Sequence, residues 1–210
     1  MKLRYILHAA AVCAAVAIPL AASSITTTFA GGNRFDGNMF NATIGSSSIT
    51  VNSLDVDVDT GSMTIDVYIK SGSYVGFDTN SAAWTLVSAT SVTGLGAGNP
   101  TPVSVTPFNL SAGNTYGIYV EINTNANSAP YMYYTTGTNT YSNSDLSLSL
   151  GDGLGGNFGS LSVTSSRTWD GTINYTVAST STVPEPTSLT LFALAAPGLF
   201  FARRRYLRKY

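Results

Sequence analysis

The chain has 210 residues, the length of one ordinary domain with short appendages. Only 10% of its residues are charged, and most of the basic ones lie at the two ends of the chain. Residues 24–182, the body, hold three basic and ten acidic residues, a net charge of minus seven. We expect no nucleic-acid binding, because such a body cannot form the positive surface that phosphates require.

Cysteine and histidine are missing from the body, since Cys13 and His8 both lie near the amino terminus. The body therefore has no thiolate nucleophile, imidazole base, disulfide or usual zinc ligand. This composition excludes a Ser-His-Asp or Cys-His enzyme.

Residues 1–23 have the pattern of a secretory signal peptide. Two basic side chains in the first four positions precede an apolar run over residues 5–20, and small residues follow it. We expect a signal helix, export through the Sec translocation machinery and cleavage between Ala22 and Ser24. The alternative, a permanent membrane anchor, needs about 20 apolar residues, and this run is shorter.

The body predicts an all-β fold, because it contains short alternating runs separated by turn residues and no helical period. We expect a single antiparallel β-sandwich, jelly-roll-like, of about nine or ten strands. Segments rich in glycine or proline at 94–107 and 151–159 predict long connections. The clearest strands are expected at Ile49–Val58, Met63–Lys70, Trp84–Val92, Thr115–Glu121, Pro130–Thr136, Leu146–Leu150 and Thr172–Val177.

Residues 54–70 predict a β-hairpin around a two-residue Thr-Gly loop. In that register the apolar pairs fall on one face and the polar pairs on the other. Asp55 and Asp66 would then oppose each other, with Asp57 nearby. Like charges in that position destabilise a hairpin unless something neutralises them.

These aspartates suggest a calcium site, because carboxylates at alternate positions also hold Ca²⁺ in EF-hand loops. An EF-hand is rejected here, since Thr60 occupies the position of the required glycine and the flanking segments are predicted strands. A surface Ca²⁺ site formed by Asp55, Asp57 and Asp66 stays as a hypothesis, beside the alternative of a solvated acidic face. No other cofactor is expected.

Aromatic residues are the other candidates for a binding site. Tyr131 and Tyr133, with Trp84, predict a flat platform for sugar rings, although burial in the core is the alternative. A glycoside hydrolase needs two carboxylates that flank a sugar bond, and the spacing of the acidic residues singles out no pair. We therefore expect a structural or matrix protein without enzymatic activity. A carbohydrate-binding module is the alternative, and a carboxylate-dependent hydrolase is the least favoured.

Residues 183–210 form a tail with three parts. A motif at 183–187 contains two prolines, which fix their own φ angles and hold the preceding residues extended, as a protease cleft requires. An uncharged apolar run at 188–202 follows, predicting a transmembrane helix that is short for a bilayer, at about 22 Å against about 30 Å. The basic end at 203–210 completes the tail. The named residues are Val183, Pro184, Glu185 and Pro186 in the motif and Arg203, Arg204 and Arg205 in the basic cluster.

This order of motif, apolar run and arginine cluster resembles the PEP-CTERM sorting signal of Gram-negative bacteria, over the last 28 residues of the chain. The resemblance implies that exosortase, a membrane protease, cuts near the Pro-Glu-Pro motif. It also implies a host that makes exopolysaccharide and biofilm. Because basic residues stay cytoplasmic, we expect transient attachment to the inner membrane with the body in the periplasm. Release to the cell surface or the medium, in contact with exopolysaccharide, would follow.

Overall fold

The computed structural model describes residues 22–124 and 128–178, and over these ranges the protein is an antiparallel all-β sandwich, as predicted. Fourteen strands are present in the described ranges, more than expected because several have only three to five residues. Two short 3₁₀ helices lie at Ser81–Ala83 and Asn157–Gly159. The strands are β1 (Ala22–Thr26), β2 (Asn33–Phe35), β3 (Gly37–Ile44), β4 (Ile49–Asp57), β5 (Gly61–Ser71), β6 (Thr85–Gly94), β7 (Pro100–Leu110), β8 (Thr115–Ile122), β9 (Met132–Thr136), β10 (Thr140–Ser142), β11 (Leu146–Gly155), β12 (Ser162–Ser165), β13 (Arg167–Trp169) and β14 (Gly171–Val177).

The strands form three sheets. A four-stranded sheet has the order β1-β14-β4-β7, and a larger sheet has the order β10-β11-β3-β8-β5-β6, with β12 also paired to β11. A small third sheet, β13-β9-β2, completes the described fold. The main core contains alternate residues of the two large sheets. Among them are Val56, Ile65, Val120 and Ile173, each of which is at most 1% exposed.

The predicted hairpin at 54–70 does not form, and this expectation is corrected. β4 pairs with β14 and β7, whereas β5 pairs with β6 and β8 in the other large sheet. The chain crosses between sheets at Thr60. Alternation identified the core-facing residues correctly, because Val56 and Ile65 both enter the core. It could not identify the sheet, since a hairpin and a crossover bury the same faces.

The first predicted connection, at 94–107, is also corrected, because most of it belongs to β7. This strand lies at an edge of the four-stranded sheet, where its neighbour among the described strands is β4. An edge strand tolerates proline because one of its sides needs no backbone donor. Pro100, Pro102 and Pro107 are exposed, while Thr101 and Val103 between them are buried.

The second predicted connection, at 151–159, is strand as far as Gly155. β11 continues along β3 with a register shift between residues 150 and 152. A Cβ atom at Gly151 would lie 1.8 Å from the Tyr74 hydroxyl oxygen, so the bulge needs glycine at this point. The glycines that suggested a loop instead allow close packing against the strand.

A second apolar cluster covers the outer face of the larger sheet. In β8, Ile118 and Val120 enter the main core, and Tyr119 between them points to the opposite face. We call this group the aromatic cluster, and its residues are Met39, Tyr68, Tyr74, Ala83, Trp84, Tyr119, Leu154 and Phe158.

Most of the predicted signal peptide and the whole predicted tail lie outside the described residues, including the motif, the apolar run and the arginine cluster. Ala22 and Ser23 are described, and they pair with Thr176 and Tyr175 as the first two residues of β1. Within 22–124 and 128–178, no helix is both long enough and apolar enough to cross a membrane.

Candidate functional site

Two of the three predicted sugar-binding residues lie together on the small third sheet. In β9, Met132 and Tyr134 are buried, so alternation places Tyr131 and Tyr133 on the opposite face, where both are half-buried. Arg34 of β2 pairs with Tyr133, and its guanidinium carbon lies 4.6 Å from the centre of the Tyr131 ring. We call Tyr131, Tyr133 and Arg34 the tyrosine surface.

Asp59 fixes this surface to the sandwich. Its carboxylate accepts a hydrogen bond of 2.6 Å from the Tyr133 hydroxyl and one of 2.9 Å from the Tyr131 backbone N–H. The bond to Asp59, reinforced by burial, raises the pKa of Tyr133, so this hydroxyl stays protonated as a donor. The result is a pair of positioned aromatic rings beside a guanidinium and a carboxylate. Stacking faces with a few convergent polar groups are the features that bind small polar ligands such as sugars.

Trp84, the third predicted sugar-binding residue, lies elsewhere. It is 8% exposed and belongs to the aromatic cluster, where its ring meets Tyr119 edge-on at a centroid distance of 6.1 Å. Its indole N–H donates to the Phe77 carbonyl at 3.0 Å. Trp84 therefore contributes packing on the larger sheet and presents no ring face to solvent beside the tyrosine surface.

The three predicted calcium ligands do not form one site. Asp55 and Asp57 belong to β4 of the four-stranded sheet, while Asp66 belongs to β5 of the larger sheet. Asp55 is half-buried and accepts a hydrogen bond of 3.1 Å from the Asn174 amide. Among the described residues, no three acidic, histidine or cysteine side chains are grouped as metal ligands.

Asp57 instead lies beside Asp170, which the sequence analysis had not singled out. Both side chains are 0% exposed, and the Asp57 backbone N–H donates to the Asp170 carbonyl at 3.3 Å. Burial raises the pKa of Asp57, and it raises the pKa of Asp170 to about 6, helped by the charge of Asp57. We call these two residues the loop pair, because loops at 27–32 and 95–99 cover them.

Asp66 forms a second carboxylate pair with Glu121, which we call the sheet pair. The two residues face each other across β5 and β8, and they are 2% and 0% exposed. The Tyr119 hydroxyl donates to Glu121, and the Asn123 amide donates to Asp66 at 2.8 Å. Burial is the main cause that raises the pKa of both carboxyls, to about 7 for Glu121.

The sheet pair has the composition that a glycoside hydrolase needs, since one carboxyl stays protonated near neutral pH beside a more acidic one. Its surroundings do not suit that chemistry. Tyr68, Tyr119 and Phe158 of the aromatic cluster lie over it, and neither carboxyl has meaningful solvent exposure. A polysaccharide cannot reach these side chains in this conformation.

Sequence reasoning missed Arg34, Asp59, Glu121 and Asp170. Two of them carried a usable signal, because Arg34 is one of three basic residues of the body and Glu121 is its only glutamate, within an apolar strand. A rare charge in such a position indicates a specific environment. Asp59 and Asp170 sit in ordinary turn sequences, and only the fold brings them to their partners.

Comparison with protein-family models matches residues 182–205 to the PEP-CTERM protein-sorting motif. No curated protein matches the chain. Among solved structures, the crystal structure of the infectious bursal disease virus VP2 subviral particle aligns at 15% identity with a TM-score of 0.20. That alignment covers 89% of this chain and 47% of the virus chain, so the chain spans about half the length of its match. A similarity this weak carries no argument about fold or function.

The family match lies at the position that the resemblance in the tail had indicated, and it includes the Pro-Glu-Pro motif, the apolar run and Arg203, Arg204 and Arg205. The motif implies export, transit in membrane-anchored form and processing by exosortase. Residues 182–205 are thus a PEP-CTERM protein-sorting motif, and the protein is an exported chain sorted by exosortase.

Proposed function

We propose that the body is a non-enzymatic protein of the cell surface or the extracellular matrix that associates with exopolysaccharide through the tyrosine surface. The observation that carries this proposal is the arrangement of Tyr131, Tyr133 and Arg34. Both tyrosines are half-buried, Arg34 lies over the Tyr131 ring, and Asp59 accepts hydrogen bonds from the Tyr133 hydroxyl and the Tyr131 backbone N–H. The sorting motif supports it, because the motif implies export and transit in membrane-anchored form.

The chemistry of the tyrosine surface suits a sugar polymer. Aromatic rings offer apolar faces for the C–H faces of sugar rings, and the guanidinium and carboxylate offer a donor and an acceptor for hydroxyl groups. Positioned side chains lose little entropy on binding. Asp59 holds the Tyr133 side chain through its hydroxyl and the Tyr131 backbone through its N–H, and Arg34 lies over the Tyr131 ring.

The test is binding of the exported protein to purified polysaccharide of its own host, measured by affinity electrophoresis or calorimetry. Tyr131→Ala and Tyr133→Ala should each weaken binding by about tenfold or more, the usual effect of removing a central aromatic contact. Tyr141→Ala is the matched control, because Tyr141 is also half-buried but lies on β10 of the larger sheet. Circular dichroism establishes that each variant is folded.

Equal binding by the wild type and both tyrosine variants would exclude the tyrosine surface as the contact. Failure of the wild type to bind would exclude association with the polysaccharide. Release of soluble sugar by the wild type, lost in Glu121→Gln, would contradict the non-enzymatic assignment and identify the sheet pair as catalytic.

A further inference from the structure

The loop pair is a buried concentration of negative charge whose oxygens are only half satisfied. Gly98 N–H donates to Asp57 Oδ1 at 2.8 Å. Gly31 N–H and the Thr135 hydroxyl donate to Asp170 Oδ2 at 3.2 and 3.1 Å. The other oxygen of each carboxylate, Asp57 Oδ2 and Asp170 Oδ1, is buried and receives no hydrogen bond from the described residues.

Gly31 shows that the two carboxylates converge on one place. Its N–H bonds Asp170, and a Cβ atom on it would lie 3.3 Å from Asp57 Oδ2 and 3.3 Å from Gly98 N. Its φ of +45° is one that glycine adopts without strain, so the loop can lie directly against the carboxylates. Both loops therefore fold over the loop pair.

No basic side chain of the described ranges compensates this charge. Arg34 stacks on Tyr131, Lys70 donates to backbone carbonyls of its own loop, and Arg167 does the same while lying over Tyr134. A carboxylate that is buried without a counter-charge costs several kcal/mol, so either a proton or a metal cation must compensate.

The surroundings favour a hard cation over other ligands. Oxygen atoms surround the two carboxylates. The Thr135 hydroxyl bonds Asp170, and the Phe29 carbonyl oxygen lies 3.5 Å from the position of a Cβ on Gly98, the residue whose N–H bonds Asp57. Ca²⁺ takes six to eight oxygen ligands, accepts irregular geometry and completes its shell with water. Ala30, Gly32 and Ala97 of the covering loops are exposed, which gives an ion a short path from solvent.

We propose that Asp57 and Asp170 bind one divalent cation, Ca²⁺, through their two unpartnered oxygens, and that the ion fastens the loops at 27–32 and 95–99 to the sandwich. This assignment replaces the grouping of Asp55, Asp57 and Asp66 that the sequence suggested. It is independent of the tyrosine surface and of any sugar.

The test uses the exported protein, with calcium chloride as the probe and EDTA as the reference. Calorimetry at neutral pH should give one Ca²⁺ per chain. The dissociation constant should be about 10⁻⁴ to 10⁻³ M, the range of extracellular calcium modules. Calcium at about a hundred times that constant should raise the melting temperature by about 5–10 °C. Asp57→Asn and Asp170→Asn should abolish both effects, and Asp55→Asn, two residues away on β4, should leave them intact.

A second measurement locates the ion if those variants do not fold. Terbium replaces calcium in oxygen sites and emits when a nearby tryptophan absorbs, and the chain has two tryptophans. Trp169 adjoins Asp170, whereas Trp84 contacts Tyr119 in the aromatic cluster. Binding at the loop pair predicts terbium emission that calcium quenches. This emission should be lost in Trp169→Phe and retained in Trp84→Phe. A wild type with no calcium heat and no calcium-dependent melting shift would overturn the proposal, and so would emission that depends on Trp84.

Discussion

The loop pair and the sheet pair pose the same electrostatic problem in different surroundings. Each consists of two buried carboxyls with no basic partner among the described residues. The loop pair lies under two loops, whose backbone amides donate to it, and the Thr135 hydroxyl also donates to it. The sheet pair lies under aromatic rings, and tyrosine and asparagine side chains donate to it.

This contrast indicates how each pair is neutralised. Glu121 is 0% exposed and lies under aromatic rings, so we expect a proton, rather than a hydrated cation, to neutralise the sheet pair. Carbonyl oxygens and exposed loops around Asp57 and Asp170 offer what a cation needs. The three basic residues of this acidic body are engaged elsewhere. We therefore expect a metal ion to neutralise the loop pair and a proton to neutralise the sheet pair.

The largest expected effect tests the aromatic cover of the sheet pair. Trp84→Ala removes a large buried ring that contacts Tyr119 and Phe158, and we expect a loss of about 3–5 kcal/mol in the free energy of unfolding. Urea denaturation measures it. Leu86→Ala is the control, because Leu86 is 49% exposed two residues later, and its change should stay within about 0.5 kcal/mol. Equal, small losses in both variants would show that the cover is not packed.

Glu121→Gln tests whether a proton neutralises the sheet pair. The folded pKa of Glu121 is raised from 4.5 to about 7 by burial, so the folded state binds a proton that the unfolded state has lost between these values. The stability from this group is complete below the unfolded pKa and is lost as pH rises through about 7. Glutamine does not ionise, so the Glu121→Gln variant keeps the same stability at this position as the pH rises. Relative to wild type it should therefore gain on the order of 3 kcal/mol between pH 4 and pH 8.

Urea denaturation of both proteins at several pH values in EDTA measures this gain. The titratable groups that face Glu121 are Asp66, Tyr68 and Tyr119. None of them is substituted in the variant. A difference in stability that does not change with pH would mean that Glu121 is ionised in the folded protein, and the proposed contrast between the pairs would fail.

Tyr133→Phe tests the attachment of the tyrosine surface. It deletes the hydroxyl that donates to Asp59 Oδ1, while the Tyr131 N–H still donates to Asp59 Oδ2. We expect a loss of about 1 kcal/mol, the usual net value of one hydrogen bond, and weaker polysaccharide binding with the ring retained. Thermal unfolding measures the first effect. An unchanged melting temperature would indicate that the hydroxyl contributes no positioning.

The smallest expected effect separates the two pairs directly. Asp66→Asn alters the sheet pair and leaves Asp57 and Asp170 untouched, so the rise in melting temperature caused by calcium should equal that of the wild type. Differential scanning fluorimetry with calcium and with EDTA measures it. Loss of the calcium response in this variant would place the cation in the sheet pair.

Alternation and turn residues were sufficient to predict the class of fold and each of the seven clearest strands. They failed where two arrangements bury the same faces, as at Thr60, where a crossover replaces a hairpin. They also failed where proline and glycine have strand roles, as in β7 and at Gly151, because an edge position and a close contact are properties of the assembled sheets.

The candidate sites were less predictable than the fold. Tyr131 and Tyr133 follow from their spacing at the start of β9, but their partners Arg34 and Asp59 lie far away in sequence. Asp57 and Asp170 are separated by more than half of the chain, and they meet because β4 pairs with β14. Long-range strand pairing creates such sites, and local pattern does not encode it.

The fate of the tail decides where the body acts, because the proposed role outside the cell requires that exosortase release it. Mass spectrometry of the intact exported protein tests this directly. We predict a chain that starts between Ala22 and Ser24 and ends within residues 183–187, and alanine substitution of Pro184, Glu185 and Pro186 should leave the protein in the membrane. Recovery of exported protein that still ends at Tyr210 would contradict the account.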